Sequence, residues 1–485
     1  MVHLGPKAPQ HRKGTFSGVN EQLLAVIKEY EGLLTVSGEK LRQIVDHFVG
    51  ELNKGLSKAG GNIPMIPGWV MEFPTGKEKG DYLAIDLGGT NLRVVLVKLG
   101  GDRTFDSTQS KYAIPAEIRT GTRDQLFDFI GDCLKKFVDE FFPDGVEGEL
   151  PLGFTFSYPA SQDKINQGVL QQWTKGFDID DVEGHDVVPI LQASIEKYNV
   201  PIQVVALIND TTGTLVSSMY TDPEAKLGLI FGTGVNGAYY DVTGDIPKLE
   251  GKLASDIPAD SVMAINCEYG SFDNEHLVLP RTKYDIQIDK ESPRPGKQSF
   301  EKMISGYYLG EVLRLILLEL AEEKKLIFVN QDLSKLKKAY VWDASIPARI
   351  EEDPFENLSD TQDLIYGSVG IQTTSPERKV IRRLCELIGD RSARLSMCGI
   401  GAICKKRGYK TAHCAADGSV YNKYPDFKVR AARALREIFQ WSDEVKEDPI
   451  IIVPAEDGSG VGAAVIAALT EQRLKKGLSV GIIGA

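Results

Sequence analysis

Cysteine is scarce in this chain. Six cysteines stand among 485 residues, at positions 133, 267, 385, 398, 404 and 414, and no two form a Cys-x-x-Cys pair. That excludes a disulfide scaffold and the paired-cysteine zinc sites. His413-Cys414 near Cys404 is too loosely spaced for such a site, so reduced, buried thiols are expected. Long apolar runs are also missing. Leu313–Leu320 is broken by Arg314 and Glu319, and Ala463–Leu469 is short; neither approaches the ~20 residues that cross a bilayer. The start, Met1 to Lys7, has neither the apolar core of a secretory signal nor a Met-Gly myristoylation start. A soluble, cytoplasmic protein is the expectation. Basic charge is in deficit, with 56 Lys and Arg against 68 Asp and Glu and a net charge of −12. With no basic stripe, neither nucleic acid nor an anionic membrane is an expected partner. No Gly-x-x-x-x-Gly-Lys-[Ser/Thr] occurs, which removes the P-loop class.

An apolar share of 42% with 26% charge is that of a globular protein, not a disordered one. At ~150 residues per domain the length implies two to four domains. Residues 1–18 hold Pro6, Pro9 and three glycines without periodicity and read as a mobile tail. Leu41, Ile44, Val45, Phe48, Val49, Leu52 and Leu56 recur with a period of 3.6, which predicts a helix. After a Gly/Pro connector at 60–68, the pattern turns to strands. Tyr82–Asp86 and Leu92–Val97 flank Leu87-Gly88-Gly89-Thr90-Asn91, predicting a hairpin with a glycine tip. Leu227–Phe231 and Ala238–Val242 flank Gly232-Thr233-Gly234-Val235-Asn236-Gly237 in the same way. Val204–Ile208 reads as a buried strand ending in Asn209-Asp210, followed by a helix. Long helical patterns occupy 300–322 and 376–407; a strand, Ile450–Val453, precedes a helix of small residues near 458–464. Strands alternating with helices predict an α/β architecture, and the paired hairpins hint at duplication.

The glycine loops are turns or phosphate cradles, since their backbone N–H groups and hydroxyls suit either role. Gly232–Gly237 matches Gly-x-Gly-x-x-Gly, but the β-prone Ala238-Tyr239-Tyr240 after it argues against a dinucleotide site, which needs a helix there. Asp86, at a strand end before Gly88, is either a turn aspartate or a carboxylate for Mg²⁺, directly or through water. Asp210 is either a helix N-cap or a general base at the mouth of a sheet.

Leu152-Gly153-Phe154-Thr155-Phe156-Ser157-Tyr158-Pro159, then Ile165-Asn166, Leu170 and Trp173-Thr174-Lys175-Gly176-Phe177, resembles the sugar signature of eukaryotic hexokinases. Asp86–Asn91, Leu207–Thr211, Phe231–Gly237, Asn266-Cys267-Glu268-Tyr269-Gly270 and Ala416–Ser419 agree with that family. The likeness runs from about residue 20 to the C-terminal Gly481–Ala485 and is to fungal, yeast-type members. It implies an actin-like ATPase (ribonuclease H-like) α/β fold of two lobes around a sugar and ATP cleft. The implied small lobe is 77–210 with 458–485, the large lobe 21–76 with 211–457, and 1–20 a flexible tail.

By the same resemblance, Asp210 is the catalytic base. Ser157, Thr174, Lys175, Asn209, Asn236, Glu268 and Glu301 bind sugar hydroxyls. Asp86, Gly88, Gly89, Thr90, Asn91, Gly232, Thr233, Gly234, Asp417, Gly418, Ser419, Gly458 and Ser459 serve the nucleotide, with Asp86 near Mg²⁺. The implied activity is transfer of phosphate from ATP to the 6-hydroxyl of glucose, fructose or mannose in a monomer or homodimer, with cleft closure on sugar and a further role in glucose sensing. Arg12-Lys13-Gly14-Thr15 puts a hydroxyl behind a basic run, a candidate phosphorylation site at Thr15 or an unmodified tail. Three other readings are a sugar sensor without turnover, a chaperone or filament protein on the same fold, and a nicotinamide enzyme. An intact Asp210, the Ser157–Lys175 signature and the strand after Gly237 argue against them in turn.

Overall fold

The structure, a computed structural model, describes residues 14–484 except Ala59 and Lys175. Most of the expected tail, including Arg12 and Lys13, and the expected sugar ligand Lys175 therefore lie outside the described residues. Thr15 is exposed.

Two sheets organise the chain. In the first, β1 (Lys79–Leu87), β2 (Asn91–Gly101) and β3 (Thr104–Ala113) form an antiparallel meander. β4 (Leu150–Thr155) then pairs parallel to β1, and β5 (Ile202–Ile208) parallel to β4, giving the order β3-β2-β1-β4-β5. The second sheet contains β6 (Ala225–Phe231), β7 (Val235–Val242), β8 (Val262–Asn266), β9 (Ala412–Asp417) and β10 (Ile450–Pro454). It repeats the pattern as β8-β7-β6-β9-β10, with the short Ile66–Pro67 added outside β8. Its meander is antiparallel and its last two strands are parallel. The duplication hinted at by the paired hairpins is thus carried by whole sheets.

Residue type explains each layer. β1 alternates across the sheet: Leu83, Ile85 and Leu87 face a core shared with Leu126, Phe127, Ile130 and Leu134 of helix Arg123–Phe141. Tyr82 and Ala84 join the main core on the other face. That helix starts at Thr122, whose side chain accepts from the Gln125 N–H while Gln125 returns a bond to the Thr122 N–H. In the second lobe the stripe of helix Gly38–Ser57 buries Leu41, Ile44, Val45, Phe48, Leu52 and Leu56, while Val49 is only half-buried. It packs on helix Ser375–Arg407, which is buried along most of its length. The helical pattern at 300–322 is broken: Ser305 is extended and separates helix Ser299–Ile304 from Gly306–Leu318.

The chain crosses between lobes in a symmetrical way. After β5, helix Asp210–Thr221 packs on β6, β7 and β9 of the other sheet. After β10, the turn Gly458–Gly462 and helix Ala463–Lys475 pack back on β1, β4 and β5. The two crossovers meet at glycine. A Cβ on Gly213 would lie 2.2 Å from the Gly458 carbonyl oxygen, and one on Gly462 would lie 2.1 Å from that of Gly213. No side chain fits between the two backbones there.

Candidate active site

The parallel strands of the first sheet end side by side. Asp86 is level with Thr155, and Thr155 with Ile208. The chain therefore releases Asp86, Ser157 and Asn209-Asp210 at one edge, where open α/β sheets place ligands. The Phe156 N–H donates to the Ile208 carbonyl at 2.9 Å, keeping the β4 and β5 exits together. Beyond Ser157 lies an aromatic platform. Trp173 stacks on Phe177 at 5.3 Å and meets Tyr158 edge-on at 5.1 Å, so the loop carrying Thr174 rests on buried rings. Ser157 and Thr174 are half-buried above it.

Asp210 is not the helix cap. Asn209 is: its side chain accepts from the Thr211 N–H at 2.9 Å. Asp210 becomes the first helical residue, half-buried, with one carboxylate oxygen accepting from the Thr211 hydroxyl at 3.2 Å. Its carboxylate charge reaches Glu268 of the other lobe.

An amide and acid network faces this edge. Asn236 on β7 is buried and donates to Asn266 Oδ1 at 2.7 Å and to Glu268 Oε1 at 2.9 Å. Its own oxygen accepts from the backbone N–H of Gly237 at 2.7 Å and of Glu268 at 2.9 Å. Asn266 donates to the same Glu268 oxygen at 2.9 Å. Glu268 turns into this position with φ +56°, a left-handed conformation that costs a non-glycine residue energy. Burial raises its carboxyl above the usual range, Asn266 opposes that, Asp210 adds to it and Asn236 opposes it. Glu301 accepts from the Val235 N–H at 2.9 Å, and burial pushes its carboxyl up to about 7, with a further push from Glu268.

Glycine loops close the site. At the β1–β2 tip, the Gly88 N–H donates to the Asn91 carbonyl at 3.0 Å, and Tyr158 OH donates to the Gly88 carbonyl at 3.3 Å. Thr90 and Asn91 are exposed beside half-buried Gly89, and the Asn91 side chain donates to the Thr90 hydroxyl at 2.9 Å. At the β6–β7 tip, the Gly232 N–H donates to the Gly234 carbonyl at 3.0 Å, leaving Thr233 exposed. Gly418, at φ +112°, sits against this tip; a Cβ there would lie 2.4 Å from the Phe231 carbonyl oxygen. Asp417 and Ser419 flank it exposed, with Asn422 donating to Asp417 at 2.8 Å.

Sequence reasoning missed three residues. Arg93 on β2 grips Asp457 with both nitrogens at 2.7 Å, donates to the Ser459 hydroxyl at 2.6 Å and lies 3.8 Å from Asp86. It ties the start of β2 to the turn around Gly458. Asp457 and Asn266 are the others. Asn266 stood in view beside Glu268, but its partner Asn236 is thirty residues away in sequence. No group of three His, Cys, Asp or Glu suited to a metal occurs among the described residues. Asp86 is the acid at the β1–β2 tip, which fits Mg²⁺ carried mainly by phosphate and water rather than a protein cage. No helix among the described residues is long and apolar enough to cross a membrane.

Comparison with known proteins agrees in scope. Two family models, both described as hexokinase, match residues 26–220 and 226–469. Hexokinase-2 of Candida albicans is 74% identical over 485 residues, covering all of both chains. Hexokinase-1 of Saccharomyces cerevisiae is 68% identical, again over all of both. Among solved structures, the hexokinase from Schistosoma mansoni complexed with glucose aligns with a TM-score of 0.80 at 33% identity, covering 92% of this chain and 99% of that one. The two-lobed, actin-like ATPase α/β fold expected from the sequence is the fold observed.

Proposed function

The chain belongs to the hexokinase family, and on that premise we propose that it transfers the γ-phosphoryl group of ATP to the 6-hydroxyl of a hexose, with Asp210 as general base. The observation that carries this reading is the position of Asp210: released from capping by Asn209, half-buried, and facing the Asn236–Asn266–Glu268 network across the lobes.

The chemistry follows from residue type. A hexose presents hydroxyls that both donate and accept. Glu268 and Glu301 accept from them; Asn209 and Lys175 donate, and Asn236 donates by turning one of its two N–H groups from Asn266 or Glu268 to the sugar; Ser157 and Thr174 do either. Charge-assisted bonds in such a site are worth ~1.5–3 kcal/mol each. Asp210 takes the proton of the 6-hydroxyl as that oxygen bonds to the γ-phosphorus, and the bond from phosphorus to the β–γ bridging oxygen breaks, releasing ADP. Phosphoryl transfer of this kind depends on positioning and charge neutralisation. Gly88, Gly89, Thr90 and Asn91 hold the phosphates from one lobe, and Gly232, Thr233 and Gly234 from the other. Asp417, Gly418 and Ser419 take the adenosine side, with Gly458 and Ser459 at the second crossover. Asp86 would hold Mg²⁺ through water, and the ion would supply charge neutralisation to the phosphates.

Water is also a hydroxyl, so selectivity requires that the hexose close the cleft before transfer. In this reading 77–210 with 458–485 moves against 21–76 with 211–457, in a cytoplasmic monomer or homodimer. Thr15 remains its candidate phosphorylation site, and glucose sensing its further role. The test is a coupled assay for glucose 6-phosphate with Mg-ATP. Asp210→Asn is expected to lose ~10²–10⁴-fold in kcat while still binding glucose; near-parental turnover would remove Asp210 from the mechanism.

A further inference from the structure

Ser479–Ile483 follow the helix Ala463–Lys475. They pair with both lobes at once. From the first lobe, the Ile165 N–H donates to the Val480 carbonyl at 3.0 Å, and the Ile482 N–H donates to the Asp163 carbonyl at 2.8 Å, with Lys164 and Gly481 in antiparallel bridge. From the second, Ile482 bridges Leu253, the Ile483 N–H donates to the Lys252 carbonyl at 2.8 Å, and Ser479 gives both its N–H and its hydroxyl to Asp256 at 2.7 Å. The Ser479 carbonyl is held in turn by Arg473 at 2.6 Å.

The first-lobe partner is not a neutral anchor. The Ile165 carbonyl accepts from the Leu207 N–H at 2.8 Å, and Gln162 donates to the Leu207 carbonyl at 2.9 Å. Leu207 lies two residues before Asn209 and three before Asp210. A continuous backbone ladder therefore runs from Val480 through Ile165 to the strand that presents the proposed base. The fit is tight: a Cβ on Gly481 would lie 2.3 Å from Lys164 Cβ and 2.5 Å from the Asp163 carbonyl oxygen.

We propose that Ser479–Ile483 is an inter-lobe strap that positions the Asn209-Asp210 strand end and limits how far the lobes part before sugar binds. The proposal rests on the hexokinase reading for its kinetic consequence but not for its structural one. Unpairing the strap widens the empty protein, so a smaller fraction of molecules is competent to take the hexose, while the closed, loaded state is little changed. These are positioning residues; none touches substrate.

Gly481→Val, which forces valine into the ladder, and Ser479→Ala, which removes one bond to Asp256, test it. For Gly481→Val the glucose KM is expected to rise about tenfold, with the ATP KM and kcat within about twofold of the parent. Ser479→Ala is expected to move the same way by a smaller factor. Small-angle scattering without ligand is expected to give a larger radius of gyration for Gly481→Val. An unchanged glucose KM and radius in both variants would overturn the strap. So would a rise in both KM values with a fall in kcat and melting temperature, which marks a merely structural part. A parent protein that forms no sugar phosphate would overturn the hexokinase reading instead, and the scattering comparison would still decide the strap.

Discussion

The ends of the three parallel strands in the first sheet lead to Asp86, Ser157 and Asn209-Asp210; in the second sheet the same three places lead to Gly232, Asp417 and Asp457. Strand order, strand direction and the crossover helix after the fifth strand are shared. What differs is the chemistry at the rim. The first sheet delivers a carboxylate at a helix start, where it is aimed but not consumed by capping. The second delivers a glycine tip backed by Gly418, and its acids, Glu268 and Glu301, come from the loop after β8 and a short helix further on. On the proposed function one scaffold used twice divides the work: the first rim carries the base, the second adds Glu268 and Glu301 for the sugar, and glycine tips from both hold the phosphates; Arg93 joins the rims through Asp457.

The glycine crossing is where breaking the comparison has the largest effect. Gly462→Val drives a side chain into the Gly213 backbone, which cannot retreat, and is expected to cost more than ~3 kcal/mol by denaturant unfolding. Next is the network of the second lobe. Asn236→Ala strips Glu268 of a partner and Asn266 of its donor, a loss of ~1–3 kcal/mol that should raise the glucose KM roughly ten- to hundredfold. The ATP KM should hardly move. Arg93→Lys sharpens the opposite side, because a lysine cannot reproduce the bidentate grip on Asp457. The expectation is a several-fold rise in the ATP KM with the glucose KM nearly unchanged, read by initial-rate kinetics.

The same comparison predicts a pH dependence with two signs. Glu301 has its carboxyl raised to about 7 in the folded protein. On the proposed function its ionised form accepts from the sugar, so glucose affinity should fall ~10-fold from pH 8 to pH 6 by calorimetry, with proton release on binding near pH 7. Stability runs the other way. Between the ordinary carboxylate value and about 7 the folded state holds a proton that the unfolded chain has lost, so this group's contribution to stability falls as pH rises through that window. Glu301→Gln should flatten both trends.

The parts legible in the sequence were those set by local pattern. Both hairpins, the buried strand before Asn209 and the stripe of helix Gly38–Ser57 came from alternation and spacing alone. The strand after Gly234, and with it the exclusion of a dinucleotide site, followed from Tyr239 and Tyr240. Local physics left Asp210 open between cap and base, because Asn209 and Asp210 are both good caps. In the folded protein Asn209 is the cap. The break at Ser305 was illegible for a similar reason: Ser305 and Gly306 are tolerated in a helix, and the break is set by the Gly306 N–H bonding the distant Gly232 carbonyl at 2.8 Å. Arg93 gripping Asp457, 364 residues away, has no signature in either neighbourhood.

The measurement that bears most directly on the whole account is a crystal structure of the protein with glucose bound. The Asp210 carboxylate should stand within hydrogen-bond reach of the glucose 6-hydroxyl, about 2.6–3.2 Å, with Glu268 and Glu301 on other hydroxyls of the same ring. A glucose molecule seated in the cleft with its 6-hydroxyl turned away from Asp210, or Asp210 pointing into solvent, would contradict it.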